Sequence, residues 1–324
     1  MSKLRFSSYV YARVSAMKGL LRRREDYDRL LKMGPNEIVR FLLESPQYPE
    51  IVDLSKGTDG VEAALNKHLS WIFAKLHRMA SGTVREVIAT YLLRFDMENI
   101  KSIVRGKFAG FPRESIEPLL YSTVNYSPEF FIGLLGKNSA QEVVDALPFI
   151  KEKLPGNLFD VEHALDRYYV QTVLTLAESL SGKDGKIIAE FMRQEVDVLN
   201  IRTIMRLRLE GSSDTSYLIE PSSLVKKLIG KTDLGDIIQV LRRKKLTSLT
   251  GDEKDLVEDL EIDMDVSLVR KESQLMHKHP LSANQILGFM FAKEIEVRNL
   301  KTLIKGKQLQ IPQDYLERLL VVAS

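Results

Sequence analysis

The chain has 324 residues, no cysteine, 44% hydrophobic and 28% charged residues, and a formal net charge of +3 at pH 7. This composition is typical of a globular protein, and it excludes disulfides, thiolate catalysis and cysteine-ligated zinc; the small net charge does not favour a nucleic-acid partner. Since no apolar run approaches the roughly 18 residues of a membrane-spanning helix and no signal-peptide core is present, we expect the cytoplasm or the cytoplasmic face of a membrane.

Apolar residues recur at helical spacing along most of the chain, with Pro and Gly gathered at the junctions. No series of alternating strands is evident, so the pattern predicts an all-α fold. The first predicted helix start is Gly34-Pro35-Asn36-Glu37, where Pro35 suits the first helical position. Matching starts follow at Ser139-Ala140-Gln141-Glu142, which is a capping box, and at Asp233-Leu234-Gly235-Asp236.

A second pattern recurs in the same register. Val61-Glu62-Ala63-Ala64-Leu65-Asn66 is followed by Val161-Glu162-His163-Ala164-Leu165-Asp166, and more faintly by Leu260-Glu261-Ile262-Asp263-Met264-Asp265. This pattern shares its period of about one hundred residues with the asparagine pentad described next, and two independent patterns with one period predict an internal repeat.

The strongest repeat is a pentad in a long helical stretch, found as Asn99-Ile100-Lys101-Ser102-Ile103, Asn200-Ile201-Arg202-Thr203-Ile204 and Asn299-Leu300-Lys301-Thr302-Leu303. The second Asn lies 101 residues after the first, and the third lies 99 after the second. This period exceeds that of ankyrin, tetratricopeptide or HEAT units. We predict three similar helical modules, with boundaries at residues 1–120, 121–221 and 222–324.

Helical periodicity places each pentad Asn within an apolar face, so Asn99, Asn200 and Asn299 are predicted to be buried. A buried amide needs hydrogen-bond partners, which the acid three residues earlier or a neighbouring helix end could supply. Those acids are Asp96, Asp197 and Glu296. Two interpretations stay open here. The amides are structural pins, or they line a central cavity and contact an inserted partner.

Each long helix ends in a basic cluster: Arg105-Gly106-Lys107, Arg206-Leu207-Arg208 and Lys305-Gly306-Lys307. Cations in a last turn offset the helix dipole, and the glycines are predicted to be left-handed caps. Alternatively, the cations Arg105, Lys107, Arg206, Arg208, Lys305 and Lys307 form a positive rim that binds an acidic or carbonyl-rich partner.

Residues for chemistry are not evident in the sequence. Gly230-Lys231-Thr232 resembles the end of a phosphate-binding loop, but Val225 occupies the position of the required glycine, so a helix connection is predicted. His277-Lys278-His279 lacks a third metal ligand. We therefore predict no catalytic residue, cofactor, metal or small-molecule substrate, and a structural or binding role.

The pentads, the opening Tyr9-Val10-Tyr11-Ala12-Arg13-Val14-Ser15-Ala16-Met17 and the turn Leu43-Glu44-Ser45-Pro46-Gln47-Tyr48 together carry a family resemblance. The chain resembles the C subunit of the archaeal and bacterial A/V-type ATPases, which corresponds to the d subunit of the eukaryotic vacuolar enzyme. The resemblance covers essentially the whole chain. The middle basic cluster lacks the glycine and the third Val-Glu pattern is weak, so strict threefold equivalence is not expected.

This resemblance implies a pseudo-threefold, funnel-shaped protein around a central cavity, on the cytoplasmic face of a membrane. Its partners would be the membrane rotor (proteolipid) ring, the central-stalk subunits and other ATPase subunits, and it would transmit torque for ion-coupled ATP synthesis or hydrolysis. Arg13, in the opening motif, would pack near the ring or pin two modules. The competing interpretations are an unrelated helical adaptor and a nucleic-acid binder that uses Arg22-Arg23-Arg24 and Arg242-Arg243-Lys244-Lys245.

Overall fold

The computed structural model of the chain describes residues 8–45, 48, 60–151, 157–180, 182–247, 259–260, 262–270 and 283–322. Across these ranges the regular secondary structure is helical and contains no β-strand, which confirms the all-α prediction. The chain divides into two compact units. The first comprises residues 1–20 and 33–181, and the second comprises residues 21–32 and 182–324.

The first unit is organised around one helix of 28 residues that carries the first pentad. Its helices are α1 (Ser8–Lys18), α3 (Pro35–Leu43), α4 (Val61–Met79), α5 (Gly82–Ala109), α6 (Arg113–Ile116), α7 (Pro128–Leu135), α8 (Ala140–Asp145) and α9 (Leu158–Ser179). The long helix is α5, and α4, α7, α8 and α9 pack against it. A 3-10 turn, Glu117–Leu119, follows α6.

The second unit contains the other two pentad helices, of 28 and 26 residues. Its helices are α2 (Arg24–Leu30), α10 (Gly182–Leu209), α11 (Ser223–Ile229), α12 (Leu234–Arg243), α13 (residues 262–270), α14 (Ala283–Gln308) and α15 (Gln313–Leu319). The pentad helices α10 and α14 pack against one another, with α11 on α10 and α15 on α14.

All three predicted helix starts are confirmed, at Pro35, Ala140 and Leu234. At α8 the Oγ atom of Ser139 accepts a hydrogen bond from the Glu142 N–H at 3.2 Å. The Glu142 carboxylate accepts from the N–H of Asn138 at 3.1 Å, one residue before the predicted position. The capping box is therefore present in a form shifted by one residue, and it still supplies partners for amides that the helix leaves free.

The second half of α5 and the second half of α10 bury equivalent cores. In the first unit Ile103 lies among Leu134, Val143 and Leu165. In the second unit the corresponding positions hold Ile204, Leu228, Ile237 and Met264. Each core combines one pentad helix with the short helix pair that follows it, and so crosses a predicted module boundary. The division at 1–120, 121–221 and 222–324 and the threefold funnel stay predictions.

No helix in the described ranges is long and apolar enough to cross a membrane.

Candidate functional site

The three pentad asparagines are buried, as predicted, and each is 1% exposed. Each side-chain amide binds the backbone of a single residue through both of its ends. The Nδ2 group donates to that residue's carbonyl oxygen, and the Oδ1 atom accepts from its N–H. The two distances are 2.9 and 2.8 Å for Asn99 with Tyr121, 2.7 and 2.8 Å for Asn200 with Ile219, and 2.8 and 3.0 Å for Asn299 with Val321. We call this arrangement the Asn clamp.

The Asn clamp holds an irregular segment of chain against the middle of a long helix. The clamped residue follows its Asn by 22, 19 and 22 positions in the three copies. Because the clamp uses only backbone atoms of the partner, Tyr, Ile and Val serve equally well. A backbone N–H and C=O that would otherwise be buried without partners are satisfied by one side chain. These contacts support the structural-pin interpretation, and binding of a partner by these residues stays a prediction.

Two of the acids that lie three residues before a clamp Asn, Asp96 and Glu296, bind groups other than the clamp amide. Asp96 is fully buried and accepts a hydrogen bond from Nδ2 of Asn125 at 2.8 Å. Burial raises the pKa of Asp96 to about 6, against hydrogen bonds from Thr123 and Asn125 that lower the pKa. In α14, Glu296 accepts from Nζ of Lys293 at 2.5 Å. Asp96 therefore binds a neighbouring segment of the chain, whereas the bond between Glu296 and Lys293 lies within α14.

The second cation of each basic cluster caps the end of a short helix. Nζ of Lys107 donates to the carbonyl of Leu135, the last residue of α7, at 2.7 Å. Arg208 donates to the carbonyl of Ile229, the last residue of α11, at 2.9 Å. A cation at this end of a helix binds free carbonyls and offsets the negative end of the helix dipole. These cations therefore cap neighbouring helices, and they also lie in the last turn of their own helix, where a positive charge is favourable.

The same contact in the third cluster uses a helix from the opposite end of the sequence. Nζ of Lys307 donates to the carbonyl of Leu31, directly after α2, at 2.5 Å. The backbone N–H of Arg22 donates to Glu296 at 2.7 Å, and Arg24 forms an ion pair with Glu317. The end of α2 is therefore bound by the inner cation of α14 in the same way as the end of α7 is bound by α5 and the end of α11 by α10. Sequence reasoning missed this, because no motif links residues so far apart.

The first cation of each cluster lies at the surface, and Arg105, Arg206 and Lys305 are all exposed. Arg105 forms a two-bond pair with the carboxylate of Glu162, at 2.6 and 2.8 Å. This hydrogen bonding raises the pKa of Arg105. The cluster thus separates into an inner cation that is part of the structure and an outer cation at the protein surface.

The cluster glycines are not left-handed caps, so that prediction was wrong. The left-handed residues that follow the three pentad helices are Gly110, Gly211 and Gln310, with φ of 70°, 71° and 55°. Gly106 and Gly306 lie inside the helices, and a Cβ atom added to either would overlap a side chain of a short helix. Those side chains are Ile116 of α6 and Leu316 of α15. The glycines are present because another helix approaches closely, which is the other common reason for glycine in a helix.

An ion pair connects the two sequence patterns that defined the repeat. Nζ of Lys101, a buried pentad residue, lies 2.6 Å from the Asp166 carboxylate at the end of the Val-Glu pattern. The equivalent pair, Arg202 with Asp265, has a distance of 2.7 Å. The pentad of one repeat is therefore bound to the Val-Glu pattern of the next.

Three further sequence predictions have separate outcomes. Arg13 is exposed on α1. Gly230-Lys231-Thr232 joins α11 to α12, and Asp233 caps the second of these helices, which confirms the predicted connection. The residues His277 and His279 lie outside the described ranges.

In the residues that the structure describes, the fold and the clamps define a helical repeat protein whose three pentad helices are each held at the Asn clamp and at the C-terminal end. Residues 10–319 match the model of the ATP synthase (C/AC39) subunit family, and the chain belongs to that family. The resemblance inferred from the pentads is thereby confirmed.

Curated archaeal proteins named as the C subunit of A-type ATP synthase are similar over nearly their whole length. The protein of Methanococcoides burtonii is 32% identical, with 97% of this chain and 94% of the relative aligned. That of Methanosarcina acetivorans is also 32% identical, over 98% and 93%. That of Haloferax volcanii is 29% identical, over 97% of both chains.

Proposed function

We propose that the chain is a non-catalytic subunit of an A-type ATP synthase that joins the central shaft to the membrane rotor ring and transmits torque between them. Membership of the ATP synthase (C/AC39) subunit family is the observation that carries this proposal. Its partners are the proteolipid ring, the central-stalk subunits and the other subunits of the ATPase. Its location is the cytoplasmic face of the membrane, as a peripheral protein.

The internal contacts are suited to a subunit that transmits torque, because they hold each pentad helix at two points. Each long helix is clamped near its middle through an Asn, and its C-terminal end is tied to a short helix through Lys107, Arg208 or Lys307. Shear along one helix is therefore distributed over several hydrogen bonds and over a packed core that deforms little. Torque transfer needs this stiffness and needs no bond to be made or broken.

The same polar residues argue for a non-catalytic role. The clamp amides and the inner cations are committed to backbone atoms of their own chain. A catalytic group must be free to meet a substrate atom or a transferred proton. These groups instead fix the geometry of the helices.

Co-sedimentation with the detergent-solubilised rotor ring, with and without the central-stalk subunits, tests the proposal. We expect one copy of the chain per ring and a ternary complex with the stalk. A chain that folds normally but binds neither partner would be a helical adaptor unrelated to a rotary motor. A salt series on the same samples reports whether the outer cations take part, because exposed charge pairs weaken as salt screens them.

A further inference from the structure

Helices α11 and α12 of the second unit carry a dense group of exposed cations. Both helices pack into one core, through Val225 and Leu228 of α11 and Ile237 and Leu241 of α12. With 7 and 10 residues, the helices are about 10 and 15 Å long. The exposed cations on this pair and at its end are Lys226, Lys227, Arg242, Arg243, Lys244 and Lys245. We call them the basic patch.

The charges of the basic patch are not neutralised by carboxylates. In the ranges that the structure describes, none of the six side chains forms an ion pair. By contrast, Nζ of Lys231, in the connection between the two helices, lies 3.0 Å from the Asp236 carboxylate. Arg243 donates to the neutral side chain of Gln239 at 3.3 Å. The patch therefore presents positive charge that an anionic partner can bind.

The fold does not require these cations, because the equivalent helix pair of the first unit lacks nearly all of them. Helices α7 and α8 pack into the first core as α11 and α12 pack into the second. Gly136 and Ser139 correspond to Gly230 and Asp233, which fixes the alignment of the two pairs. The six positions equivalent to the basic patch hold Ile132, Gly133, Pro148, Phe149, Ile150 and Lys151. Only the last of these is a cation.

Lys245 has a backbone conformation that lysine does not favour. Its φ is 57°, in the left-handed region. The N–H of Leu246 donates to the carbonyl of Leu241 at 3.0 Å, so Lys245 occupies the left-handed position of a Schellman ending, where glycine is the usual residue. A cation at this position lowers stability and adds charge to the patch. This favours a functional use of the charge over a merely solvated helix end.

The composition of the helix pair favours a lipid surface over a nucleic acid. Residues 223–247 contain no aromatic residue, so nucleic-acid bases would have no ring on which to stack. The net charge of the whole chain is only +3, which gives little attraction to a long polyanion. Clusters of four to eight Lys and Arg residues on an amphipathic helix are typical of sites that bind anionic lipid headgroups.

We propose that the basic patch binds the headgroups of anionic phospholipids at the membrane surface, through ion pairs between its Lys and Arg side chains and the lipid phosphates. This inference rests on the proposed function only in placing the chain at a membrane. It concerns lipid, and not the protein subunits that the proposed function names as partners. A second, independent contact would strengthen the attachment of a peripheral protein.

The test is flotation of the full chain with vesicles of phosphatidylcholine, alone or mixed with anionic phosphatidylglycerol. The patch variant is Arg242→Gln/Arg243→Gln/Lys244→Gln/Lys245→Gln. We expect the wild type to float with the anionic vesicles, to be released by high salt and to ignore the neutral vesicles. The patch variant should bind anionic vesicles at least about tenfold more weakly, because each cation near the surface strengthens binding about fivefold.

The matched control removes two other exposed arginines and two other exposed lysines. It is Lys32→Gln/Arg40→Gln/Lys67→Gln/Arg78→Gln. The control should float as the wild type does, and thermal unfolding of all three proteins checks that each is folded. Equal flotation of the patch variant and the control would overturn the inference. Equally tight binding of the wild type to double-stranded DNA would overturn the choice of lipid.

Binding to the solubilised ring and to the stalk subunits is measured on the same proteins. A wild-type chain that binds the ring but does not float overturns the inference and leaves the proposed function intact. A chain that floats but binds neither protein partner has the opposite meaning. If the patch variant keeps its flotation and loses ring or stalk affinity, the patch binds an acidic protein surface instead of lipid.

The single variant Lys245→Gly separates charge from structure. Glycine fits the left-handed backbone, so we expect a higher melting temperature than that of the wild type. Loss of one cation should weaken binding to anionic vesicles about fivefold. A variant that is more stable and floats as the wild type does would remove Lys245 from the lipid-binding surface.

Discussion

Asn200 shows at the scale of one residue why an amide occupies an apolar helix face. Its two ends match the N–H and C=O of Ile219, so both peptide groups are satisfied inside the protein. A carboxylate would lack the donor, and a hydroxyl could not reach both groups at once. The side chain therefore forms the two backbone hydrogen bonds that a neighbouring strand would form in a β-sheet.

Replacing Asn200 by Leu keeps the volume and removes both hydrogen bonds. We expect the free energy of unfolding to fall by about 2–5 kcal/mol, because two buried backbone groups lose their partners. Urea denaturation followed by circular dichroism measures this change. The control is Asn138→Leu, at an exposed position, which should alter stability little. Equal stability of the two variants would show that the clamp contributes nothing.

Asp96 makes stability depend on pH. Because its pKa is about 6 in the folded chain and 3.8 for the free group, folding favours the protonated carboxyl. The stabilisation is present below pH 4, is lost as the pH rises through about 6 and is absent at pH 7. Asp96→Asn keeps an acceptor for Asn125 and removes the charge. We expect this variant to be about 2–3 kcal/mol more stable at pH 7.

Melting temperatures between pH 4 and pH 7 check this expectation. The wild-type curve should fall relative to that of Asp96→Asn as the pH increases, and the two should approach each other near pH 4. Asp145→Asn, at an exposed position on α8, is the control and should follow the wild type. A variant that is less stable than wild type at pH 7 would mean that the charged form is favoured in the folded state.

At the scale of helices, the repeats differ where one short helix is missing. Gly106 and Gly306 make room for α6 and α15, which follow α5 and α14. Residues 210–222, all of them described, contain no helix between α10 and α11, and the clamped residue comes 19 positions after Asn200 instead of 22. The equivalent position is then free to hold Leu207. The loss of glycine in the middle copy and the loss of a helix are two aspects of one change.

Gly106→Ala tests this close approach. Alanine favours a helix by up to about 1 kcal/mol over glycine, but the new methyl group would overlap Ile116. We expect a net loss of about 1–3 kcal/mol, measured by thermal unfolding, because overpacking outweighs propensity. Gly133→Ala in α7 is the matched control, since no atom lies within 4 Å of its added Cβ. That variant should be more stable than wild type, and a stabilising Gly106→Ala would contradict the proposed role of the glycine.

Helical periodicity was enough to predict the burial of the three asparagines, and N-terminal capping motifs were enough to predict the starts of α3, α8 and α12. The clamp partners could not be predicted, because Tyr121, Ile219 and Val321 contribute backbone atoms and share no side chain. The glycines were misassigned for a related reason. Glycine serves both as a left-handed cap and as a site of close packing, and only the position of α6 distinguishes these uses.

At the scale of the whole molecule, residues 21–32 belong to the second compact unit although residues on both sides belong to the first. Tyr27 of α2 is buried, and burial raises the pKa of its hydroxyl. A sequence without long-range contact information cannot reveal that residues 21–32 belong to the second unit. Repetition defines copies in chain order, whereas packing assigns α2 to the third pentad helix.

Tyr27→Ala is therefore expected to loosen helices far away in sequence. Removing a buried aromatic ring costs about 3–5 kcal/mol. Hydrogen exchange followed by mass spectrometry should show faster exchange in α14 and α15, with α5 and α8 protected as in wild type. The exposed Tyr9, replaced by Ala, serves as the control. Faster exchange confined to α1 and α3 would show that α2 does not stabilise the third pentad helix.

The contact between Lys307 and Leu31 spans 276 residues, and this separation delays the formation of the contact during synthesis. A ribosome adds about 5–20 residues per second, so α2 leaves the exit tunnel tens of seconds before α14 exists. During that interval the apolar face around Tyr27 and Leu30 has no native partner to cover it. The third pentad helix can therefore complete its packing with α2 only after a long interval, in which the face of α2 that carries Tyr27 stays accessible to other chains.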